Sequence, residues 1–425
     1  MGALDTIIKA VKVPDIRRKI IFTLLMIVVF RLGANIPVPG IDRKLLEEAF
    51  TGQGLFQIFD LFSGGAFSNF TIFALSITPY ITASIILNLL TIAVPALEAL
   101  SKEGMEGRKK IAQYTRYLTV VLAFMQAIGL SLGLFRQALI STQFFDVAVI
   151  VLALTGGTAF LMWLGEQINE YGVGNGISLI IFAGIICRAP AAIGNAFQSV
   201  SRHEINMMAL VLFALFALFI VVGTIMVQQG QRRIPVQYAK RVVGRKMYGG
   251  QNTHIPIKVN QAGVIPIIFA MSLLQFPMTI TYFMSAKSGF TEFVNKWLSM
   301  TDPPGVWIYV ILYVLLTIFF TYFYTAVTFN VVDVSDNMRA NGGFIPGIRP
   351  GRTTVEYLNR VMTRITFVGA IFLAAIAALP YILQQWTNLN IMFGGTALLI
   401  VVGVGLDTMK QIENQMVMRN YRGFL

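Results

Sequence analysis

The side chains able to do covalent, redox or metal chemistry are few in this chain, and their spacing serves none of it. The two histidines, His203 and His254, lie far apart, without the short spacing that puts two imidazoles on one metal ion. A single cysteine, Cys187, leaves no internal disulfide framework. The long apolar stretches carry neither paired aspartates nor a Ser–His pair, which an intramembrane protease needs. No series of acids or histidines runs through them either, and an ion-coupled carrier or proton pump needs a charge or proton site at membrane depth. Arg31 stands near the end of one apolar run, where its head group can snorkel, and Glu166 near the end of another. Two glycine-rich stretches imitate phosphate loops. "GMEGRKK" from Gly104 lacks the eight-residue spacing, and "GVGNG" from Gly172 has no strand before it. The glycines of the second are read as permitting a sharp turn and close helix packing.

Basic charge is the chemistry that remains, and its distribution depends on the elements that carry it. The chain has 425 residues, of which 56% are hydrophobic and 12% charged, with a net charge of +13. Soluble domains carry roughly 25% charged residues. Uncharged runs recur along the whole length, so the expected class is an all-α polytopic membrane protein. Ten spans are predicted, at 20–37, 71–93, 114–135, 146–165, 174–190, 207–228, 262–284, 306–330, 363–382 and 391–409. The first, from Ile20, has no small-residue cleavage site and reads as a retained helix. Twenty-five of the 33 lysines and arginines fall at the two ends and in alternate connections on one side, against seven on the other. The positive-inside rule then places both termini in the cytoplasm.

Two cytoplasmic connections are longer than a topology signal needs. The first, about 229–260, holds Arg233, Lys240, Arg241, Arg245 and Lys246 among seven basic residues and has no acid. Alternating apolar residues in "RRIPVQYAKRVVG" predict a hairpin-like finger. The second, about 331–361, contains "GGFIPGIRPGR" and is read as a turn-rich loop that holds Arg349 outward. Two protruding basic loops on one face make a docking surface for an anionic partner such as RNA phosphate.

One stretch resists placement by pattern. "FDLFSGGAFSNF", from Phe59, is too apolar for an exposed loop and too short for a span of about 20 residues. It runs directly into "TIFALSITPYITASII". With "GVGNGISLIIFAGI", the long basic connection, "GGFIPGIRPG" and "GGTALLIVVGVGLD" from Gly394, these stretches resemble the SecY family of protein-export channels over essentially the whole chain.

That resemblance implies ten transmembrane helices in two pseudo-symmetric five-helix halves, 1–190 and 191–425, around a central pore. "ITPYI" and "VIPIIF", each early in its span, fit an inverted repeat. The segment of about 54–70 would be a plug on the outer side of the closed pore, with Phe59, Phe62, Ser63, Gly64 and Gly65. The two glycines would give it freedom to leave. Ser76 stands where the family pattern leads us to expect glycine, and Asp60 places a charge in the plug. Ile77 and Ile81 are four apart on one helix face, as are Ile177 and Ile181. By spacing alone they read as ordinary packing residues. By resemblance they join Ile268 and Ile400 in an apolar pore ring, which excludes water and ions yet offers a passing chain no hydrogen bonds.

Thr82, Asn88 and Phe276 match a lateral gate between the second and seventh spans, and Asn88 is expected to seek a partner across that seam. Arg233, Lys240, Arg241, Arg245, Lys246 and Arg349 match docking positions for the ribosome and for the motor ATPase SecA. SecE and SecG are the implied membrane subunits. Signal sequences and nascent polypeptides are the implied cargo, membrane lipids the lateral exit, and the bacterial cytoplasmic (inner) membrane the location. No energy-converting, catalytic, metal or cofactor site is expected. The alternative class is a secondary transporter of a small solute, which would need a polar site at mid-membrane.

Overall fold

The computed structural model describes residues 11–42, 45, 60, 63–135, 138–141, 143–202, 207–238, 241–243, 246–248, 252–281, 284, 288–298, 305–387 and 395–422. The chain is a helical bundle with a small sheet on one end. Helix α1 (Pro14–Gly33) starts on a proline whose missing N–H costs nothing there. Asp15 in its first turn and Arg31 in its last complement the helix dipole. The chain then extends, and 36–38 clasps 70–72 through Val38 N–H to the Phe70 carbonyl and Ile72 N–H to the Ile36 carbonyl.

The second predicted span departs from expectation. Residues 64–77 are mostly turns, and the helix α2 (Thr78–Ala93) begins only at Thr78. Phe70 and Ser76 both take positive φ, +42° and +52°, which no α-helix accommodates. α2 ends at Val94, whose extended backbone is what a following proline demands. A 99° bend there leads into α3 (Pro95–Lys102).

Next come α4 (Met105–Ile128), continued by a π-helical turn over Gly129–Leu134, α5 (Phe144–Tyr171), α6 (Gly176–Ser201) and α7 (Met207–Gln229). The α5–α6 turn uses its glycines as the sequence reading expects. Gly174 has φ +88°, and a Cβ on Gly176 would lie 2.0 Å from the Gly165 carbonyl oxygen. After the strands β1 (Gln231–Tyr238), β2 (Arg241–Val243), β3 (Lys246–Tyr248) and β4 (Asn252–Lys258) the chain returns as α8 (Ile265–Thr281), α9 (Gly289–Trp297) and α10 (Gly305–Thr328). It closes with α11 (Val331–Ala340), β5 (Gly343–Phe344), α12 (Arg352–Thr387) and α13 (Gly395–Arg422).

Six described helical stretches are long and apolar enough to cross a membrane, and the bent α2–α3 pair makes a seventh. The other three predicted spans fall on α1, on the 17-residue α8 and on α13. Large apolar side chains on the bundle surface, such as Leu24, Val28, Leu215, Phe219 and Leu315, are exposed, as a lipid-facing surface requires. Inside, Thr119, Thr155, Thr317, Thr321 and Thr325 each donate a hydroxyl to the carbonyl four residues back. That arrangement satisfies buried polar groups where no water is available.

Candidate pore, plug and docking platform

α2, α6, α8 and α13 each bring isoleucines to one apolar cluster. Ile77, Ile181 and Ile400 are buried at 1%, 2% and 0% exposure, and Ile81, Ile177 and Ile268 are half-buried against the same cluster. Ile77 sits just before α2, and its carbonyl accepts the Ile81 N–H, which sets the two one turn apart. β-branched side chains have few rotamers, so an aperture they line keeps its shape.

The plug-like stretch lies beside this cluster. Phe59 and Phe62 fall outside the described residues. Ser63 Oγ donates to the Asp60 carbonyl and accepts from Phe67 N–H at 3.0 Å, which ties the first turn. Gly64 and Gly65 have φ of +65° and +95°. A Cβ on Gly64 would sit 2.9 Å from the Gly184 Cα of α6. The two glycines thus serve an ordered left-handed turn in close backbone contact, where the sequence reading assigned them flexibility. Ala66 joins the isoleucine cluster, while Phe67 and Phe70 pack edge-on against Phe135 in a second cluster.

The charge that looked out of place in the plug is fully engaged. Asp60, 3% exposed, forms an ion pair with Arg188 of α6, and its Oδ1 accepts the Ser68 N–H at 2.8 Å. Arg188 also donates to Ser68 Oγ at 2.8 Å. Burial pushes the Asp60 carboxyl above its ordinary pKa, against the downward pull of Arg188 and Ser68. Arg31 donates to the Gly64 carbonyl at 2.7 Å. The sequence reading let Arg31 snorkel and gave Arg188 no role beyond its side of the membrane; both bind this segment. A signal was available: a cation at membrane depth calls for a named partner, and Asp60 is the one acid between Glu48 and Glu98. Ser76 takes φ +52°, a conformation glycine adopts without strain, which accounts for glycine as the expected residue there.

α2 packs against α8. Along that seam Thr82 is half-buried and donates to the Thr78 carbonyl of its own helix. Asn88 is half-buried, and among the described residues its side chain makes no hydrogen bond across the seam. Phe276 is 47% exposed. The residues that share a cleft at the seam include Thr78, Thr279, Gln126, Leu130, Leu75 and Phe67. Thr78 and Thr279 were missed because residue type alone does not say which helix faces meet.

At the other end the two long connections form one body. β1 pairs antiparallel with β4 over seven residue pairs, and β5 from the second connection adds to the free edge of β1 through Gln237↔Phe344 and Tyr238↔Gly343. Ile234, Val236 and Ile257 of the strands share a small core with Val331, Met338, Ile345 and Leu358. The finger is therefore a sheet with a separate hairpin, β2–β3. The second connection is helical over α11, where Asn330 caps the amino end by accepting from Val332 and Asp333 N–H. Arg233 and Arg349 are exposed on this body. Arg241 and Lys246 lie on β2 and β3, while Lys240 and Arg245 fall outside the described residues.

The sequence pattern that defines SecY matches residues 71–409. The chain belongs to the SecY family. A Mycobacterium tuberculosis protein translocase subunit SecY is 47% identical, over 99% of this chain and 100% of its own length. The SecY subunit of Halalkalibacterium halodurans is 49% identical over 99% of each chain. Among solved structures, one described as a protein-conducting channel superposes with a TM-score of 0.67 at 19% identity, covering 94% of this chain and 93% of its own. The channel of the canine ribosome complex from the endoplasmic reticulum superposes with a TM-score of 0.64 at 18% identity, covering 94% and 93%. SecY relatives and channel folds of this kind give the solute-carrier alternative no support.

Proposed function

We propose that this chain is the protein-conducting channel of a Sec-type translocon. Unfolded secretory polypeptides pass along its axis, and apolar helices leave sideways between α2 and α8. The observation that carries the reading is the convergence of six isoleucines from four elements of the chain's two halves, beside an ordered turn segment, 63–70, that would close the path. The halves, 1–190 and 191–425, act as two shells around it. Ile77, Ile81, Ile177, Ile181, Ile268 and Ile400 form the ring, and Thr82, Asn88 and Phe276 belong to the gate. The sheet platform with exposed Arg233 and Arg349, together with Lys240, Arg241, Arg245 and Lys246, would dock the ribosome and SecA through contacts that weaken with salt. SecE and SecG complete the assembly in the bacterial inner membrane, with both termini in the cytoplasm.

The drive for transport is assigned to a partner, SecA or the translating ribosome. The test is reconstitution of the chain with SecE in vesicles, with SecA and ATP. A preprotein with an intact signal should become protected from external protease, and its signal-less form should not. Equal protection of both forms, or of neither, would refute the reading.

A further inference from the structure

The channel reading needs an apolar ring and a movable segment; it assigns no task to the arginines that grip that segment. Asp60, Arg188 and Ser68 form a closed triangle in which each member contacts the other two. Arg31, from α1, holds the same segment from a different helix through the Gly64 carbonyl. The backbone fits this clamp closely: a Cβ on Gly65 would lie 3.0 Å from the Arg188 guanidinium. Burying a carboxylate and a guanidinium is costly, and only their mutual contact and hydrogen bonds offset it. Such a pair is satisfied in one position of the segment. Once the segment moves, both charges must find water or another partner, so intermediate positions are disfavoured.

We propose that the Asp60–Arg188 pair, completed by Ser68 and Arg31, is a polar latch that holds the plug segment in its resting place, so that release is set by breaking this contact and not by apolar seating alone. The gating consequence rests on the channel reading; the latch itself does not.

The experiment measures two quantities on the full chain in lipid nanodiscs and vesicles: hydrogen exchange at the amides of 63–70, and resting ion leak alongside signal-dependent export. Asp60→Asn and Arg188→Gln should each speed exchange at the Ser68 amide by about tenfold or more, because each removes one side of a pair whose carboxylate is buried and whose guanidinium is largely so. Both should raise the leak. The double variant should go little beyond the larger single effect, as coupled partners do. Arg188→Lys, which keeps the charge but not the planar fork, should fall between. Arg31→Gln is the milder variant should the others fail to fold, and it should loosen the amides near Gly64. Exchange unchanged in the single variants, or strictly additive in the double, would overturn the latch even if the wild type exports normally. A wild type that neither conducts nor exports under any condition would instead refute the channel reading, whatever the exchange rates. Faster exchange with no leak, in protein that exports, would overturn the gating role.

Discussion

Replacing Ile400 with Asn tests the ring most directly. The side chain is fully buried in the cluster that also holds Ile77, Ile181 and Ala66 of the proposed plug segment. Removing a buried aliphatic group of this size forfeits about 1.5–3 kcal/mol of apolar burial. Placing an amide in its stead without a partner adds about 1–3 kcal/mol. Only the part felt in the plug-seated state shifts gating. If that part is about 1.4 kcal/mol, the closed-to-open ratio falls about tenfold. Vesicles bearing Ile400→Asn should therefore leak ions at rest and should export substrates with defective signals. Ile16→Asn is the control. Ile16 is also buried but lies in a separate small cluster with Val173 and Ile412, away from the isoleucines and the plug segment, so it should lower thermal stability and leave the channel tight. A tight Ile400→Asn channel that still demands intact signals would refute the ring, and so would equal leakage in both variants.

Sidedness follows from the charge asymmetry: with Cys187 replaced, a cysteine at Ser288 should label from outside and one at Thr253 on β4 only from the cytoplasm. Cysteines at Thr78 and Thr279, which line one cleft at the α2–α8 seam, should be joined by a short bifunctional reagent in the resting channel and should then block export. Arg233→Glu on the exposed strand should weaken ribosome binding and reduce its salt dependence by about one phosphate contact, read from affinity at two ionic strengths. Ser76 sits at φ +52°, so Ser76→Val should cost about 1–3 kcal/mol in stability while Ser76→Gly is tolerated, measured by thermal unfolding in detergent.

The sequence by itself determined the class, the approximate spans and the family, and it supplied the charge asymmetry on which the expected sidedness rests. Hydropathy and positive charge act nearly additively along a chain in a membrane, so short windows suffice to read them. It also located the special position of Ser76, though without its backbone angle. Only the tertiary structure decided the rest. It started α2 at Thr78, because two residues before it took left-handed backbone. It joined two connections into one platform through β5, a two-residue strand too short to leave a periodic signal. It gave Arg31 and Arg188 their partners at Gly64, Asp60 and Ser68, left Phe276 exposed on α8, and put Thr78 and Thr279 into one cleft. These are pairings between distant points of the chain: Arg188 meets Ser68 across 120 positions. Which charge meets which, and which helix faces meet, depends on packing geometry that no local window contains. In the low-dielectric interior a charge placed by composition alone would be prohibitively costly, so the fold itself has to supply its partner.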